Sequence, residues 1–216
     1  GHGYLAAGLL GGLVSSTNVT FTFARSSRET PALARPLAFG AVAANAMLYP
    51  RVIVATAFLN PSLVAPLLPY LIPPAIVAIL ITASGMRRSS RKPPEMTQQN
   101  PLQLTGALQM AALFQAVLMM VFVARERWGD SGIYASAALA GLTDADALTI
   151  SMARDVAVAF SPAIAATGIG LGVLANTVVK LILAMLLGSA VFRWIAGGAL
   201  LLMLAALAAA LVYIGL

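Results

Sequence analysis

Two aspartates in an apolar part of the chain are the side chains best suited to chemistry. Asp144 and Asp146 belong to the stretch GLTDADALTISMAR, residues 141–154. An ionised carboxylate inside a membrane costs a few kcal/mol, so such groups usually face a bundle interior or a water-filled cavity. Residues two apart project about 200° from each other on a regular helix, so both carboxylates share a site only where the helix is broken. Such a site suits a hard cation or a proton carrier; the alternative is a wet pair at a helix end.

A second stretch of the chain repeats this pattern without the acids. GLVSSTNVTFTFAR, residues 12–25, matches residues 141–154 at a constant offset of 129 (141 − 12). Glycines and hydroxyl residues permit a break in both copies, and broken membrane helices recur in transporter sites. We therefore predict that the two copies form one site, with Thr149 and the polar residues of the first copy beside the carboxylates: Ser15, Ser16, Thr17, Asn18 and Thr20.

Two basic residues inside apolar segments are related by the same offset. Arg51 maps to Lys180 (180 − 51 = 129), and Asn176 lies one turn before Lys180 on the same helix face. An intramembrane base needs a partner, so we expect a ring of two acids and two bases around a polar centre. The bases are then counter-ions that a cation or proton displaces, or contacts for an anionic substrate. The alternative is that both side chains snorkel to an interface.

The composition is that of an integral membrane protein. Of 216 residues, 60% are hydrophobic and 9% charged, whereas soluble domains have about a quarter of their residues charged. The absence of Cys excludes thiolate chemistry, and nothing resembles a nucleophile–base pair or a histidine cluster. We therefore predict no enzyme activity and no cofactor, and leave open whether a metal binds. The net charge of +6 is explained by basic cytoplasmic loops, not by nucleic acid.

The hydropathy pattern predicts an all-α fold of about seven transmembrane helices in two parallel internal repeats with broken, polar motif helices. A basic linker at 86–100 divides a first repeat (1–85) from a second (101–216). The first repeat then lacks its first helix, as in a chain that is a fragment. The predicted segments cover about 4–23, 36–59, 61–85, 101–125, 131–152, 162–187 and 194–216.

The distribution of basic residues predicts the orientation. Seven crossings place eight basic residues on one side and three on the other, so the first side is cytoplasmic. Both motif copies then cross in the same direction, which makes the repeats parallel.

Several short motifs together resemble a known membrane domain. They are GGLVSSTNVT, LYPRV, GDSGIY, AGLTDADALTISMAR and ANTVVK, with NP at the end of the linker. The chain resembles the uncharacterised membrane domain found C-terminal to the MgtC domain in bacterial MgtC/SapB family proteins. The resemblance implies a multi-pass protein of the bacterial inner membrane, with Asn18 replacing a small apolar residue. The family motif positions it implies are Ser15, Ser16, Thr17, Thr20, Asp144, Asp146, Thr149, Asn176 and Lys180.

These observations favour a transport protein that moves a small solute or ion, a cation or a proton-coupled substrate, through a mid-membrane site at the repeat interface. The alternative is a non-transporting structural or regulatory subunit whose polar motifs hold helices together, since interhelical hydrogen bonds contribute about 1 kcal/mol. The lipid bilayer is one expected partner. A slender bundle also predicts a homo-oligomer or association with a larger membrane complex.

Overall fold

The computed structural model describes residues 2–87, 115, 133–155 and 161–215. These ranges consist of helices and helical turns and contain no strand. Five helices within them are long and apolar enough to cross a membrane, namely Gly3–Glu29, Pro31–Leu59, Pro61–Gly85, Pro162–Leu187 and Ala190–Ile214. Large apolar side chains such as Ile79 and Trp194 lie exposed on the outside, as expected where the solvent is lipid. The prediction of a helical membrane protein is confirmed.

The helices follow one another with short connections. Helical turns at Pro31–Leu33 and Pro61–Leu63 start the segments that contain α2 and α4, and a π-helical turn at Arg193–Gly197 joins α8 to α9. The predicted segment 101–125 lies outside the described residues. The helices are α1 (His2–Glu29), α2 (Ala34–Ala46), α3 (Leu48–Leu59), α4 (Val64–Arg87), α5 (Ile133–Thr143), α6 (Ala145–Asp155), α7 (Pro162–Leu187), α8 (Ala190–Phe192) and α9 (Gly198–Ala210).

Helix α1 folds back on itself at Ser15. The backbone of Ser15 is extended (φ −158°, ψ 102°), and the rings of Tyr4 and Phe23 meet edge to face with centroids 6.2 Å apart. In a straight helix these residues would be separated by about 28 Å. The structure therefore does not confirm that 4–23 crosses the membrane as one segment, because α1 is a helical hairpin. Each arm is about 20 Å long, shorter than the roughly 30 Å hydrocarbon core.

The second motif copy is also divided into two arms. Helix α5 ends at Thr143 and α6 begins at Ala145, with Asp144 between them. Each has 11 residues, or about 16 Å, which is too short to cross a bilayer. Gly141 of α5 and Leu148 of α6 both pack against Gly172 of α7. The break predicted in 131–152 is present, but the segment does not cross as a single helix.

Helices α2 and α3 form one central segment that is interrupted only at Met47. Ten of the 13 residues of α2 are buried. Pro50 cannot donate a backbone hydrogen bond, and α2 and α3 are separated only at Met47. Bonds of 3.3 Å from Met47 N to Ala43 O and from Arg51 N to Met47 O continue across the junction. This segment carries Arg51 to the middle of the bundle.

The two hairpins open at opposite ends of the bundle. Arg28, at the end of α1, donates to the carbonyls of Leu186 and Gly188 at the end of α7 (2.6 and 3.1 Å). Asn60, beyond the end of α3, donates to Ala153 O in α6 (3.4 Å), and the neighbouring Met152 packs against Gly168 in the first part of α7. Since α7 runs from one end of the bundle to the other, the open ends of α1 and α5–α6 are opposed. This contradicts the predicted parallel arrangement, which rested on counting each motif as one crossing.

Small residues allow each hairpin to lie directly against its neighbouring helix. A Cβ added at Gly8 or Gly12 would come within 2.0–2.9 Å of the backbone of Gly40 or within 2.5–3.0 Å of that of Ala44 in α2. A Cβ at Gly141 would come within 2.3–2.6 Å of the backbone of Gly172 in α7. Close backbone approach through small residues is a common mode of helix association in membranes, and it holds both hairpins in place.

Candidate functional site

The first hairpin tip is a helix N-terminus capped by Ser15. The Ser15 hydroxyl accepts a hydrogen bond from the backbone N–H of Asn18 (3.2 Å), which is the standard geometry of an N-cap residue. The extended φ of Ser15 is open to any residue, so the tip depends on the cap and not on glycine. The second arm, 16–29, therefore begins at the tip and presents its partly positive end there.

The second tip has the same construction with an acid in the capping position. Asp144 Oδ1 accepts from the backbone N–H groups of Asp146 (2.8 Å) and Ala147 (3.3 Å). Asp144 lies 129 residues after Ser15 (144 − 15), which is the offset of the sequence echo. One oxygen of this exposed carboxylate is thus committed to starting α6. An unstrained capping interaction explains the break in both copies.

An ion pair joins the two tips. Arg51 Nε and Nη2 donate to the two carboxylate oxygens of Asp146, at 3.0 and 2.5 Å. Nη1 of the same guanidinium donates to the carbonyls of Gly12 (2.9 Å) and Leu13 (3.1 Å), which the fold-back of α1 leaves near its tip. The side chains of Arg51 and Asp146 are 21% and 36% exposed. Arg51 therefore connects the first tip to the second, and the alternative that it snorkels to an interface does not apply.

The second predicted base has no such partner. Lys180 is completely buried, and among the described residues its Nζ has no hydrogen-bond partner. Its electrostatic neighbours are Arg51, Asp146 and Asp144. One turn earlier on α7, Asn176 Nδ2 donates to Gly141 O (3.1 Å), the same role that Arg51 plays for Gly12. The expected ring of two acids and two bases is therefore present as a cluster, but only Arg51 and Asp146 pair directly.

The tips enclose a polar pocket of about 320 Å³. Asn176, about half-way along α7, forms one side, so the pocket lies at mid-height in the bundle. The pocket is open, since Asp144 is exposed. Of the predicted site residues, the pocket is lined by Ser15, Ser16, Thr17, Arg51, Asp144, Asp146 and Asn176. Thr143, which sequence reasoning did not select, also lines it; its position directly before the capping Asp144 was the available signal.

The other predicted hydroxyl residues form hydrogen bonds within the helices and do not line the pocket. Thr20 Oγ1 donates to Ser16 O (2.8 Å) and accepts from Asn45 Nδ2 (3.0 Å). Thr149 Oγ1 donates to Ala145 O (2.7 Å), the equivalent bond in the second copy. Both threonines are buried, and neither they nor Asn18 line the pocket. The hydrogen bonds of Thr20 and Thr149 therefore stabilise the helices that carry the tips.

Comparison with protein families assigns the chain to a family. Residues 1–188 match the family model described as Domain of unknown function (DUF4010). The chain belongs to this family. The matched region contains both hairpin tips, Arg51, Asn176 and Lys180, so the pocket lies wholly within the DUF4010 domain.

One curated relative is similar over most of its length. An "Uncharacterized protein" of Aquifex aeolicus (strain VF5) is 30% identical over 190 residues, which is 84% of this chain and 80% of the relative. No solved structure shows significant similarity to the chain. The expectation of an uncharacterised membrane domain thus agrees with the DUF4010 assignment.

The described part of the DUF4010 domain has no group of three or more His, Cys, Asp or Glu residues placed to hold a metal ion. Of the acids in the described ranges, Asp144 and Asp146 line the pocket, and both oxygens of Asp146 accept hydrogen bonds from Arg51. The pocket can therefore offer a ligand hydroxyls, one free carboxylate oxygen, an amide and the positive ends of two helices.

Proposed function

We propose that this protein is a membrane transporter that moves a small charged solute through the pocket between the two hairpin tips. The observation that carries the proposal is the meeting of two helical hairpins, open at opposite ends of the bundle, at one polar pocket half-way along α7. Such hairpins give a solute a short path from either side to a shared centre.

Physical constraints in a bilayer support this reading. Interrupted helices at membrane depth are tolerated where they are buried in protein or line a water-filled cavity. Carboxylates at membrane depth likewise face the bundle interior or water. Asp144 and Asp146 remain partly exposed at the tips, which favours a pocket filled with water or solute. Discontinuous helices at mid-membrane are a recurring design of transporter substrate sites.

We extend the proposal to an inverted repeat. The units 2–87 and 133–215 each contain a hairpin followed by two long helical segments, and their hairpins are opposed. An inverted pair requires an odd number of crossings between the units, and the single segment predicted from the sequence at 101–125, outside the described residues, meets this requirement. Inverted repeats related by an axis in the membrane plane are common in secondary transporters.

The Arg51–Asp146 ion pair then holds the two hairpins together in one conformational state. Alternating access requires the tips to move relative to each other, so this pair must break in at least one state. Protonation of Asp146 removes the charge that holds Arg51, which gives a route for proton coupling. Solute binding at the tips offers a second route, because a ligand can replace either partner.

The transport proposal is tested by solute flux in proteoliposomes carrying the purified chain. The screen covers cations, protons and small anions under imposed ion gradients. We expect flux of at least one solute, and we expect Asp146→Asn to lower it to the level of protein-free liposomes because Arg51 loses its counter-charge.

The matched control is Glu29→Gln, which also removes one carboxylate. Glu29 is an exposed partner of Arg25 (3.1 Å) at the open end of α1, away from the pocket, so its variant should keep the flux. Unchanged flux in Asp146→Asn would contradict the role of the pocket. The absence of flux for every solute would favour the alternative function.

That alternative is a non-transporting structural or regulatory subunit of a larger membrane complex. The close backbone contacts of Gly12 with Ala44 and of Gly141 with Gly172 favour it, because they fix each hairpin to its neighbour. We also propose that the protein lies in the bacterial inner membrane with its basic loops in the cytoplasm. We further propose that it associates with an MgtC domain and forms a homo-oligomer.

A further inference from the structure

We propose that Arg28 and Arg193 together bind the phosphate of an anionic phospholipid headgroup at the end of the bundle where the hairpin of α1 opens. This site is separate from the pocket and does not depend on the transport function proposed above. A lipid phosphate held there would join the open end of α1 to the segment that follows α7.

The two guanidiniums converge on one carbonyl oxygen. Nε of Arg28 and Nε of Arg193 lie 3.1 and 2.9 Å from Gly188 O, so the two nitrogens are at most 6.0 Å apart. Nη2 of Arg28 also donates to Leu186 O (2.6 Å). Because a guanidinium has five N–H donors, each side chain keeps donors that bond to no described residue. Two neighbouring guanidiniums with free donors suit a phosphate, whose oxygens accept several hydrogen bonds at once.

The charge of this arginine pair is not balanced by a carboxylate. Glu29, the residue after Arg28, pairs with Arg25 (3.1 Å), and within the described ranges no carboxylate forms an ion pair with Arg28 or Arg193. The C-termini of α1 and α7 meet at this end and contribute about half a negative charge each. The two full positive charges exceed this, and they repel each other unless an anion lies between them. A phosphodiester monoanion supplies the missing charge.

The arginine pair lies at the depth of the lipid headgroups. Gly188 follows the pocket-lining Asn176 by 12 residues (188 − 176), or about 18 Å along the axis of α7. Half of the hydrocarbon core is about 15 Å thick. Since the pocket lies at mid-height in the bundle, the arginine pair is just outside the hydrocarbon, where the phosphates of the lipids lie.

The side chains beside the arginine pair suit the acyl chains of a lipid. Leu186 and Val191, which flank Gly188 in the sequence, are exposed large apolar residues, and so is Trp194. Trp194 directly follows Arg193, and tryptophan is enriched at the boundary between headgroups and hydrocarbon. A headgroup on the two arginines leaves its acyl chains against this apolar surface. This favours a phospholipid over free phosphate as the source of the anion.

Tryptophan fluorescence can measure which lipid occupies the site. The chain has two tryptophans, and Trp128→Phe leaves Trp194, next to Arg193, as the only reporter. The full chain is reconstituted in vesicles of phosphatidylglycerol and phosphatidylcholine, one of which carries a nitroxide quencher near the top of its acyl chains. Quenching over a series of lipid ratios gives the binding constant of phosphatidylglycerol relative to phosphatidylcholine at this position.

We expect phosphatidylglycerol to bind about 25-fold more strongly than phosphatidylcholine, because each arginine near a membrane surface strengthens the attraction to anionic lipid roughly fivefold. On the same basis Arg193→Gln should lower the preference about fivefold, and its combination with Arg28→Gln should remove it. Glutamine keeps an amide donor for the carbonyls at the end of α7 and removes only the charge.

The matched control is Arg154→Gln, which removes one exposed arginine near the end of α6. That position is at the other end of the bundle, far beyond the Debye length of about 8 Å from the arginine pair, so the preference should be kept. Equal binding of the two lipids in the chain with both arginines overturns the proposal without reference to any variant. A preference that survives in the double variant also overturns it.

Sodium phosphate distinguishes the two sources of the anion. Compared with sodium chloride of equal ionic strength, it should leave the preference for phosphatidylglycerol unchanged, because the vesicle concentrates lipid phosphate at the depth of the arginine pair. Loss of the preference in sodium phosphate alone would assign the site to the free ion and overturn the lipid proposal. None of these outcomes depends on solute flux, so the failure of the lipid site and the failure of the transport proposal are separately observable.

Discussion

At the residue scale, Arg51 and Lys180 occupy equivalent positions in the two sequence copies but differ in their hydrogen bonding. The guanidinium of Arg51 makes four hydrogen bonds, two to Asp146 and two to backbone carbonyls of α1. Its planar fork suits such bidentate pairing. In the second copy Asn176 satisfies the equivalent carbonyl, and Lys180 has electrostatic neighbours but no hydrogen bond to any described residue. The two equivalent bases therefore differ in their hydrogen bonding.

The unpaired amine of Lys180 predicts a stability effect. Lys180→Met should raise the free energy of unfolding by about 1–3 kcal/mol, because it removes the desolvation cost of an unsatisfied buried donor and keeps a similar volume. The measurement is the Tm of the ligand-free chain in detergent.

Asn176→Leu is the opposing control for this prediction. It leaves Gly141 O without its donor, so it should lower the Tm. A drop in the Tm of Lys180→Met comparable to that of Asn176→Leu would show that Lys180 has a stabilising partner.

At the element scale, the two motif helices are hairpins whose reversal depends on packing. Gly11 and Val19 come into contact across the tip of α1, and Tyr4 meets Phe23 further down the arms. The glycine-rich first arm permits this close approach, and α2 packs against both arms. The break was predictable from the glycines and hydroxyl residues. The direction of the chain after the break was not predictable, because the same N-cap hydrogen bond can form whatever the angle between the two arms.

The fold-back of α1 can be tested by cross-linking, since the chain has no native cysteine. Ala6→Cys and Thr22→Cys place thiols at two exposed positions on opposite arms. A short bismaleimide should join them within one molecule, as detected by mass spectrometry, because the arms pack side by side. A straight helix would hold them about 24 Å apart.

A matched pair in a continuous helix provides the control for the cross-link. Ala163→Cys and Val179→Cys have the same sequence separation within α7. This pair should not cross-link intramolecularly. Equal yields for both pairs would refute the hairpin.

At the scale of the whole molecule, the opposed hairpins define the topology. Arg28 bonds to the end of α7, and the N–H of Ser189 donates to Ser27 Oγ (2.9 Å). These contacts fix the open end of α1 beside the loop that follows α7. Asn60 and Ala153 mark the other end. Counting each motif as one crossing predicts instead that the loops after both motifs face the cytoplasm.

Thiol labelling in oriented membrane vesicles distinguishes the two topologies. Ala32 lies in the helical turn that follows α1, and Ala163 lies in the first turn of α7. Ala32→Cys and Ala163→Cys should react with a membrane-impermeant maleimide from opposite sides. Ala190→Cys should react from the same side as Ala32→Cys, and Ser62→Cys from the same side as Ala163→Cys. Labelling of positions 32 and 163 from one side would restore the parallel arrangement.

The sequence alone determined the membrane class, the location of both helix breaks and most of the residues that line the pocket, because hydropathy, capping residues and intramembrane charges are local properties. It did not determine that, among the described residues, Asp146 pairs with Arg51 while Lys180 has no hydrogen-bond partner, because the reach of a side chain depends on where its helix lies. It also did not determine the reversal of α1. A segment of 28 residues is long enough to cross a bilayer once or to turn back within it, and only the packing of Gly12 on Ala44 and of Tyr4 on Phe23 decides between these two paths.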